Sequence, residues 1–332
     1  MPATVLDGAA IAARTTAALA DDIARLRDRG APPRLVVIRA NDNKGSASYA
    51  RATERMCGEH GIDFRLEELG SDADQAAVAA CIGRHNRDDA TSAIMLHMPV
   101  PDGVDGEALL AAIDPLKDAE GMHPVNLARL LYDPDPVPGP CTALGAVKLA
   151  LEACPDMQGR RALVAGRSQI VGRPAALLLI SHHATVTVTH TRTRDVPALM
   201  READVVIAAT GAASARYARY RRALAAWQDG SGERPAPCDL SPYVTAEMVK
   251  PGAVVIDVGV NRIPAGFDED GEPVPNPETG RPRLVTAGDV DFDAVREVAG
   301  AVTAAKGGTG PMTNAMLLRN TVHAARRLAG EG

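Results

Sequence analysis

The sequence predicts an α/β protein of two domains, each built on a parallel sheet. Three observations carry that expectation. The 332 residues suit two domains with substantial cores. Short apolar runs alternate with helix-length runs, the rhythm of strand–helix–strand units. A stretch rich in proline, Asp133-Pro134-Asp135-Pro136-Val137-Pro138-Gly139-Pro140, interrupts that rhythm like a hinge or domain boundary, and the pattern restarts after it.

Each element has a local reason. Residues 9–29 have the helical spacing of apolar positions and stop at Gly30, ahead of Pro32-Pro33. Residues 35–38 are a continuous apolar run, a short buried strand. A helix is expected over 46–60, closed by Gly61, then a strand over 64–66, a helix over 74–84 and a strand over 93–96. Beyond the prolines come a helix over 142–153, a strand over 161–165 and a helix over 173–182. A strand over 184–189, a helix over 195–202 and strands over 204–209 and 253–258 follow. A last helix, 311–328, is expected to pack back on the first domain. Residues 1–139 with 311–332 then form one domain, and 140–310 the other.

Two segments break the pattern. Residues 211–243 are long for a connection between such elements. They hold Arg216-Tyr217-Ala218-Arg219-Tyr220-Arg221-Arg222 and the single tryptophan, Trp227. The plain reading is a surface helix; the sharper one is a lid or a subunit contact. Residues 264–283, rich in Pro, Gly, Asp and Glu, read as an exposed loop.

Composition excludes several classes. A net charge of −6 argues against a general nucleic-acid or membrane-surface binder. The N-terminus has no basic region followed by an apolar run, so no secretion signal is expected. No apolar stretch approaches membrane-spanning length. Five scattered cysteines (Cys57, Cys81, Cys141, Cys154 and Cys238) fit a reducing cytoplasm and suggest neither a disulfide framework nor a metal site. Cys141, just ahead of a helix, reads as a packing residue.

Two glycine-rich segments point to chemistry. Gly166-Arg167-Ser168-Gln169-Ile170-Val171-Gly172-Arg173-Pro174 follows an apolar strand and precedes a helix. Strand, glycine turn and helix N-terminus make an anion site, since amide N–H groups and the helix dipole converge there. The site implies a cofactor that carries phosphate. In an NAD site an acidic residue about 20 positions later takes the ribose hydroxyl. Here the second strand ends in His190-Thr191-Arg192-Thr193-Arg194, with no carboxylate at its tip. Thr191, Arg192 and Arg167 suit a 2′-phosphate, so NADP is expected. Cofactor contacts are assigned to Gly166, Arg167, Ser168, Ile170, Val171, Gly172, Thr191 and Arg192, with Thr210 and Gly211 at the end of the next strand. The second segment is Gly307-Gly308-Thr309-Gly310-Pro311-Met312-Thr313.

The ordered motifs resemble the methylenetetrahydrofolate dehydrogenase/cyclohydrolase family over nearly the whole chain. They are Leu6-Asp7-Gly8, Ser46-Ala47-Ser48-Tyr49, Met98-Pro99-Val100-Pro101, and the run from Asp114-Pro115-Leu116-Lys117-Asp118-Ala119-Glu120-Gly121 to Asn126. Pro140-Cys141-Thr142, the Gly166 turn, Val255-Ile256-Asp257-Val258-Gly259-Val260-Asn261, Gly288-Asp289-Val290 and the Gly307 segment continue the series. The resemblance implies an N-terminal folate-site domain, a C-terminal Rossmann-like NADP domain, a cleft between them and a homodimer. It implies oxidation of 5,10-methylenetetrahydrofolate, then hydrolysis of the methenyl product to 10-formyltetrahydrofolate. By the same resemblance, Tyr49, Met98, Pro99, Glu120, Gly307, Gly308 and Pro311 line the substrate site.

The departures cluster at the reacting end of the folate. Where the family motif Ser-x-x-Tyr-x-x-x-Lys has lysine, this chain has Thr53. The family glutamine is His97 and the second aspartate of Lys-Asp-x-Asp-Gly is Glu120. The family Pro-Val-Pro is Ala304-Ala305-Lys306, and a proline ahead of Ser46 is Lys44. Hydride transfer depends mainly on positioning, whereas hydrolysis needs groups that carry protons. Dehydrogenase activity is therefore expected to survive while cyclohydrolase activity is weak, absent or rebuilt on His97, Lys306 or Lys44. Tyr49, Thr53, His97, Glu120 and Lys306 are the candidate catalytic positions. A related NADP oxidoreductase acting on another substrate, and a non-catalytic folate- or NADP-binding protein, are the competing readings.

Overall fold

A computed structural model describes residues 2–268, 271–304 and 306–331, and the side chain of Lys44 lies outside the described set. The strands, in chain order, are β1 (Thr4–Leu6), β2 (Arg34–Arg39), β3 (Asp63–Glu68), β4 (Ala93–His97), β5 (Arg161–Ala165) and β6 (Thr185–Thr189). They continue as β7 (Val205–Ala208), β8 (Val254–Asp257), β9 (Asn261–Pro264), β10 (Leu284–Ala287) and β11 (Ala301–Thr303). The helices are α1 (Gly8–Ala17), α2 (Ala20–Asp28), α3 (Lys44–Glu59), α4 (Gln75–Asn86), α5 (Gly106–Ala112) and α6 (Pro124–Arg129). After them come α7 (Cys141–Ala153), α8 (Gly172–Ser181), α9 (Val196–Arg201), α10 (Ala212–Gln228), α11 (Phe292–Arg296) and α12 (Thr309–Leu328).

The chain divides into two compact units, residues 9–145 with 311–332 and residues 1–8 with 146–310. The first holds a three-stranded parallel sheet in the order β3-β2-β4. Val36, Ile38, Ile94 and Leu96 from that sheet pack on Val78, Cys81 and Ile82 of α4. Asn43 caps α3 by accepting the Gly45 N–H at 2.8 Å, and Asp74 caps α4 through the Ala77 N–H at 2.8 Å. The helix expected over 9–29 is two helices. Thr15 and Thr16 turn their hydroxyls onto the Ile11 and Ala13 carbonyls, and the Leu19 N–H bonds Thr16 O, so the ladder breaks there. The proline-rich stretch lies wholly inside this unit rather than at its edge. Arg319 of α12 holds it through Asp135 at 2.6 Å and the Pro136 carbonyl at 2.7 Å. The division falls instead within α7, after Gly145.

The second unit holds a six-stranded sheet in the order β1-β11-β8-β7-β5-β6, with every pairing parallel. Residues 1–8 lie here rather than with 9–139, because β1 pairs in register with β11. Leu163, Val206, Val255 and Val302 form its centre, with Met200 and Val295 packed on them. β6 and β7 flank β5 on opposite sides, so strand order reverses at β5. Ligands of open α/β sheets bind at such a switch point, beyond the carboxyl ends of the strands.

Residues 211–243 and 264–283 pack on each other. β9 and β10 pair as an antiparallel hairpin, with further bridges at Phe267–Pro273 and Pro275–Pro282, so 264–283 is more than an exposed loop. Ala213, Tyr217, Tyr220 and Leu224 recur at helical spacing on α10 and bury against Ile263 and Phe267. The Tyr220 hydroxyl donates to the Gly271 carbonyl, and its ring meets Phe267 edge-on at 5.5 Å. No helix among the described residues is long and apolar enough to cross a membrane.

Candidate active site

The three-stranded unit gathers one group of side chains at the carboxyl ends of its strands. α3 leaves the end of β2, and His97 closes β4. Residues 117–119 run beside β4, with the Ile94 N–H on Lys117 O at 2.7 Å and the Ala119 N–H on Ile94 O at 3.0 Å. That pairing delivers Glu120 to the same edge. Its neighbours are structural. The Lys117 ammonium caps α4, donating to the carbonyls of His85, Asn86 and Asp88 at 3.1, 2.9 and 2.8 Å. The Asp118 carboxylate accepts the N–H groups of Glu120 and His123 and the Asn126 amide.

His97 is 4% exposed, and its ring lies 5.3 Å from that of Tyr49. Its Nδ1 is 3.0 Å from the Ser46 hydroxyl, and its Nε2 is buried with no partner among the described residues. Burial, helped by the Arg39 charge, pulls its pKa down to about 4. The Tyr49 hydroxyl donates to Asn314 of α12 at 3.5 Å, and burial and the Glu120 charge raise its pKa. Burial, with the Asp118 charge, pushes Glu120 up to about 8. Thr53 is 2% exposed and turns its hydroxyl back onto the Tyr49 carbonyl at 2.9 Å, one helical turn earlier. It presents no proton carrier.

Met98 is exposed and the Met98–Pro99 bond is cis; Asn41 donates to the Pro99 carbonyl at 2.9 Å and so ties that loop to the start of α3. Pro311 lines a cavity of about 260 Å³ with Met56, His60 and Asn314. Cys141 is the packing residue expected. Burial raises its thiol well above the ordinary range, and Sγ lies 3.4 Å from Ala119 O and 3.3 Å from the Asn320 amide. Sequence reasoning missed Asn41, Asn314 and Asn320, whose roles come from tertiary pairing. Ser46 stood in a quoted motif, but only the folded chain joins it to His97.

The second group lies at the switch point of the six-stranded sheet. Gly166 has φ +117°, and a Cβ there would stand 2.3 Å from the Ala209 carbonyl oxygen. A Cβ on Gly172 would stand 2.3 Å from Gly166 O, so both positions require glycine. Ser168 Oγ accepts the N–H groups of Val171 and Gly172 at 3.1 and 3.3 Å. Those two amides, expected to meet the cofactor, are therefore used internally. Among the described residues no acceptor takes the amides of Arg167 to Ile170, whose side chains are exposed. Thr191 and Arg192 are exposed on the turn after β6. The cradle, its unspent amides and its exposed arginines fit a nucleotide with a 2′-phosphate.

Thr210 and Gly211 also spend their amides within the protein. Their N–H groups donate to Asp289 Oδ2 at 2.5 and 3.1 Å. Asn261 donates to Asp289 Oδ1 at 2.9 Å, while Asp257 accepts the N–H groups of Gly259, Asp289 and Val290. Burial lifts Asp257 to about 6 against those bonds. Lys306 and Gly307 are exposed and Gly308 is buried in the turn between β11 and α12, in this unit and not in the unit of Thr53. Ala305 and the Lys44 side chain lie outside the described residues. Glu67, Cys81 and His85 could ligate a metal, their ligand atoms lying within 4.8 Å of one another. Arg65 and Arg84 already pair with Glu67, and His85 spans Glu67 and Thr91, so the cluster is an ion-pair network.

A two-domain α/β fold, a nucleotide cradle at a switch point and a separate polar cluster define a nucleotide-dependent enzyme. Comparison with known proteins makes the assignment specific. The catalytic-domain profile of the tetrahydrofolate dehydrogenase/cyclohydrolase family matches residues 6–120, and its NAD(P)-binding-domain profile matches 140–217 and 240–329. The bifunctional protein FolD of Afipia carboxidovorans is 40% identical over 99% of this chain and 98% of its own. The bifunctional FolD of Campylobacter jejuni is 32% identical, with a TM-score of 0.78 over 98% of this chain and 99% of its own. The FolD of Trypanosoma brucei, solved with NADP and an inhibitor, is 31% identical, with a TM-score of 0.79 over 98% of both chains. The chain belongs to the tetrahydrofolate dehydrogenase/cyclohydrolase family. Residues 218–239, most of the segment around Trp227, fall between the two stretches matched by the second profile.

Proposed function

We infer that this chain is an NADP-dependent methylenetetrahydrofolate dehydrogenase whose cyclohydrolase step is weak or lost. The observation that carries the second half is Thr53, whose hydroxyl is spent inside its own helix. When bound, NADP supplies the hydride acceptor. The protein's part in that step is to hold the folate ring still, which Tyr49, His97 and Glu120 support as packed, mostly uncharged side chains. The product is a resonance-stabilised cation, so no side chain need take a proton.

Hydrolysis of that cation makes other demands. Water must lose a proton and a ring nitrogen must later gain one. Thr53 carries no titratable group. His97, held near 4, is a poor acceptor at neutral pH. Glu120, near 8, is mostly protonated at neutral pH, so it can give a proton to the ring nitrogen but offers little carboxylate to take one from water. A homodimer in the cytoplasm belongs to the same reading, supported by the family resemblance and by five free cysteines.

A paired assay on one preparation tests the reading. NADP reduction with 5,10-methylenetetrahydrofolate should be fast, and the decay of added 5,10-methenyltetrahydrofolate should be near its uncatalysed rate. Rapid methenyl decay would overturn the second half; no NADP reduction would overturn the first.

A further inference from the structure

Ser46 stands in the first turn of α3 and His97 at the end of β4, so their contact exists only in the folded chain. The Ser46 hydroxyl lies 3.0 Å from His97 Nδ1. Among the described residues that nitrogen is the one acceptor in reach of the hydroxyl proton. The contact also lies at the N-terminal end of a 16-residue helix. That end carries partial positive charge, which favours a lone pair on the facing nitrogen over an N–H. Arg39 adds positive charge nearby. The imidazole then keeps its single proton on Nε2, the atom that is buried and unpartnered. A buried donor without a partner is costly, and a bound ligand with an acceptor there would relieve the cost.

We propose that Ser46 is a positioning residue that holds the His97 proton on Nε2, so that His97 meets the folate substrate as a fixed neutral hydrogen-bond donor. The assignment rests on the dehydrogenase reading and explains its second half. A nitrogen that already carries a proton cannot take one from water. The hydroxyl therefore selects donation over base catalysis at the position where the family glutamine would offer an amide.

The tautomer can be read directly. Long-range ¹⁵N–¹H correlation spectra of the whole protein, labelled at histidine, distinguish protonated from bare ring nitrogens, and His97→Gln identifies the signal. In the unmutated protein, His97 should show a protonated Nε2 and a bare Nδ1 at neutral pH. Ser46→Ala should mix the tautomers and lower dehydrogenase kcat/KM about tenfold, mostly through kcat. Ser46→Thr, which keeps a hydroxyl, should restore both to within about threefold. A proton on Nδ1, a mixed population in the unmutated protein, or an unchanged tautomer in Ser46→Ala would overturn the proposal. If Ser46→Ala fails to fold, the unmutated spectrum still decides. Rapid methenyl hydrolysis beside a protonated Nε2 would sink the functional reading and leave the Ser46 assignment standing.

Discussion

The turn at Gly166 and the cluster around His97 are both candidate sites, but they are built from different material. The turn is made of backbone. Its glycines are demanded by contacts of 2.3 Å, its hydroxyl at Ser168 accepts the Val171 and Gly172 amides, and its unspent backbone donors are the amides of Arg167 to Ile170. The cluster is made of side chains carried on α3, β4 and the strand-like run at 117–119. A backbone site tolerates almost no change at its glycines. A side-chain site can trade lysine for threonine, or glutamine for histidine, and leave the fold intact. On the proposed reading, the cofactor half keeps its family character while the folate half gives up its proton carrier.

The largest expected effect comes from breaking the backbone half. Gly166→Ala puts a methyl group into the Ala209 carbonyl at a φ that L residues rarely adopt. It should cost about 3 kcal/mol or more and abolish NADP binding, read by thermal melting and by cofactor titration. Gly159→Ala is the control. Its φ is +74° with nothing within 4 Å, so the cost should be about 1 kcal/mol with binding intact. Equal losses in both variants would mean that strain alone, and not the Ala209 contact, governs the turn.

Thr53→Lys sharpens the comparison from the other side. It returns an amine to the face of α3 one turn beyond Tyr49. Methenyl hydrolysis should rise about 10²-fold, the usual contribution of a placed proton carrier, while NADP reduction changes little. Thr53 is nearly fully buried, so stability should fall as the larger, charged side chain enters. Hydrolysis that stays at background would mean the amine is not the missing group, and that His97 and Glu120 must revert as well.

This contrast also explains what the sequence made legible. Strand and helix positions followed from apolar spacing, and the nucleotide turn from glycines between a strand and a helix. Thr53, His97 and Glu120 stood out as candidates because each sits in an ordered motif. Hydrogen-bond accounting was not visible. That Ser168 consumes the Val171 and Gly172 amides, and Asp289 those of Thr210 and Gly211, depends on which acceptor reaches them after folding. The break between α1 and α2 and the packing of α10 on the β9–β10 hairpin were hidden for a related reason. Back-bonding threonines and distant tyrosines act through contacts that spacing does not encode.

His97 and Glu120 should pull stability in opposite directions with pH. Folded His97 stays neutral down to about pH 4, whereas an unfolded histidine takes its proton near 6.5. The unfolded chain thus binds the extra proton between those values, and the His97 contribution is lost as pH falls from 6.5 to 4. Folded Glu120 keeps its proton up to about 8, whereas the unfolded carboxyl ionises near 4.5. Its contribution is full below 4.5 and lost as pH rises to 8. Urea unfolding should show a decline between pH 6.5 and 8, above the range in which His97 opposes it, that Glu120→Gln removes, by an amount on the order of 2 kcal/mol. A decline that persists in Glu120→Gln would place the titrating group elsewhere.

The smallest effect tests whether the backbone half also uses side chains. Arg192 is exposed on the turn after β6, and its N–H is fixed on His190 Nδ1 at 3.1 Å, so its backbone is held while its guanidinium has no partner among the described residues. A guanidinium gripping a 2′-phosphate in water contributes about 1 kcal/mol once screening is counted. Arg192→Ala should therefore weaken NADP about fivefold to tenfold at low salt and leave NAD affinity unchanged. Raising ionic strength to about 0.5 M, where screening acts over a few ångströms, should shrink the gap between variant and parent. An equal loss for both nucleotides would mean that Arg192 shapes the turn, and Arg167 would become the residue that separates the two cofactors.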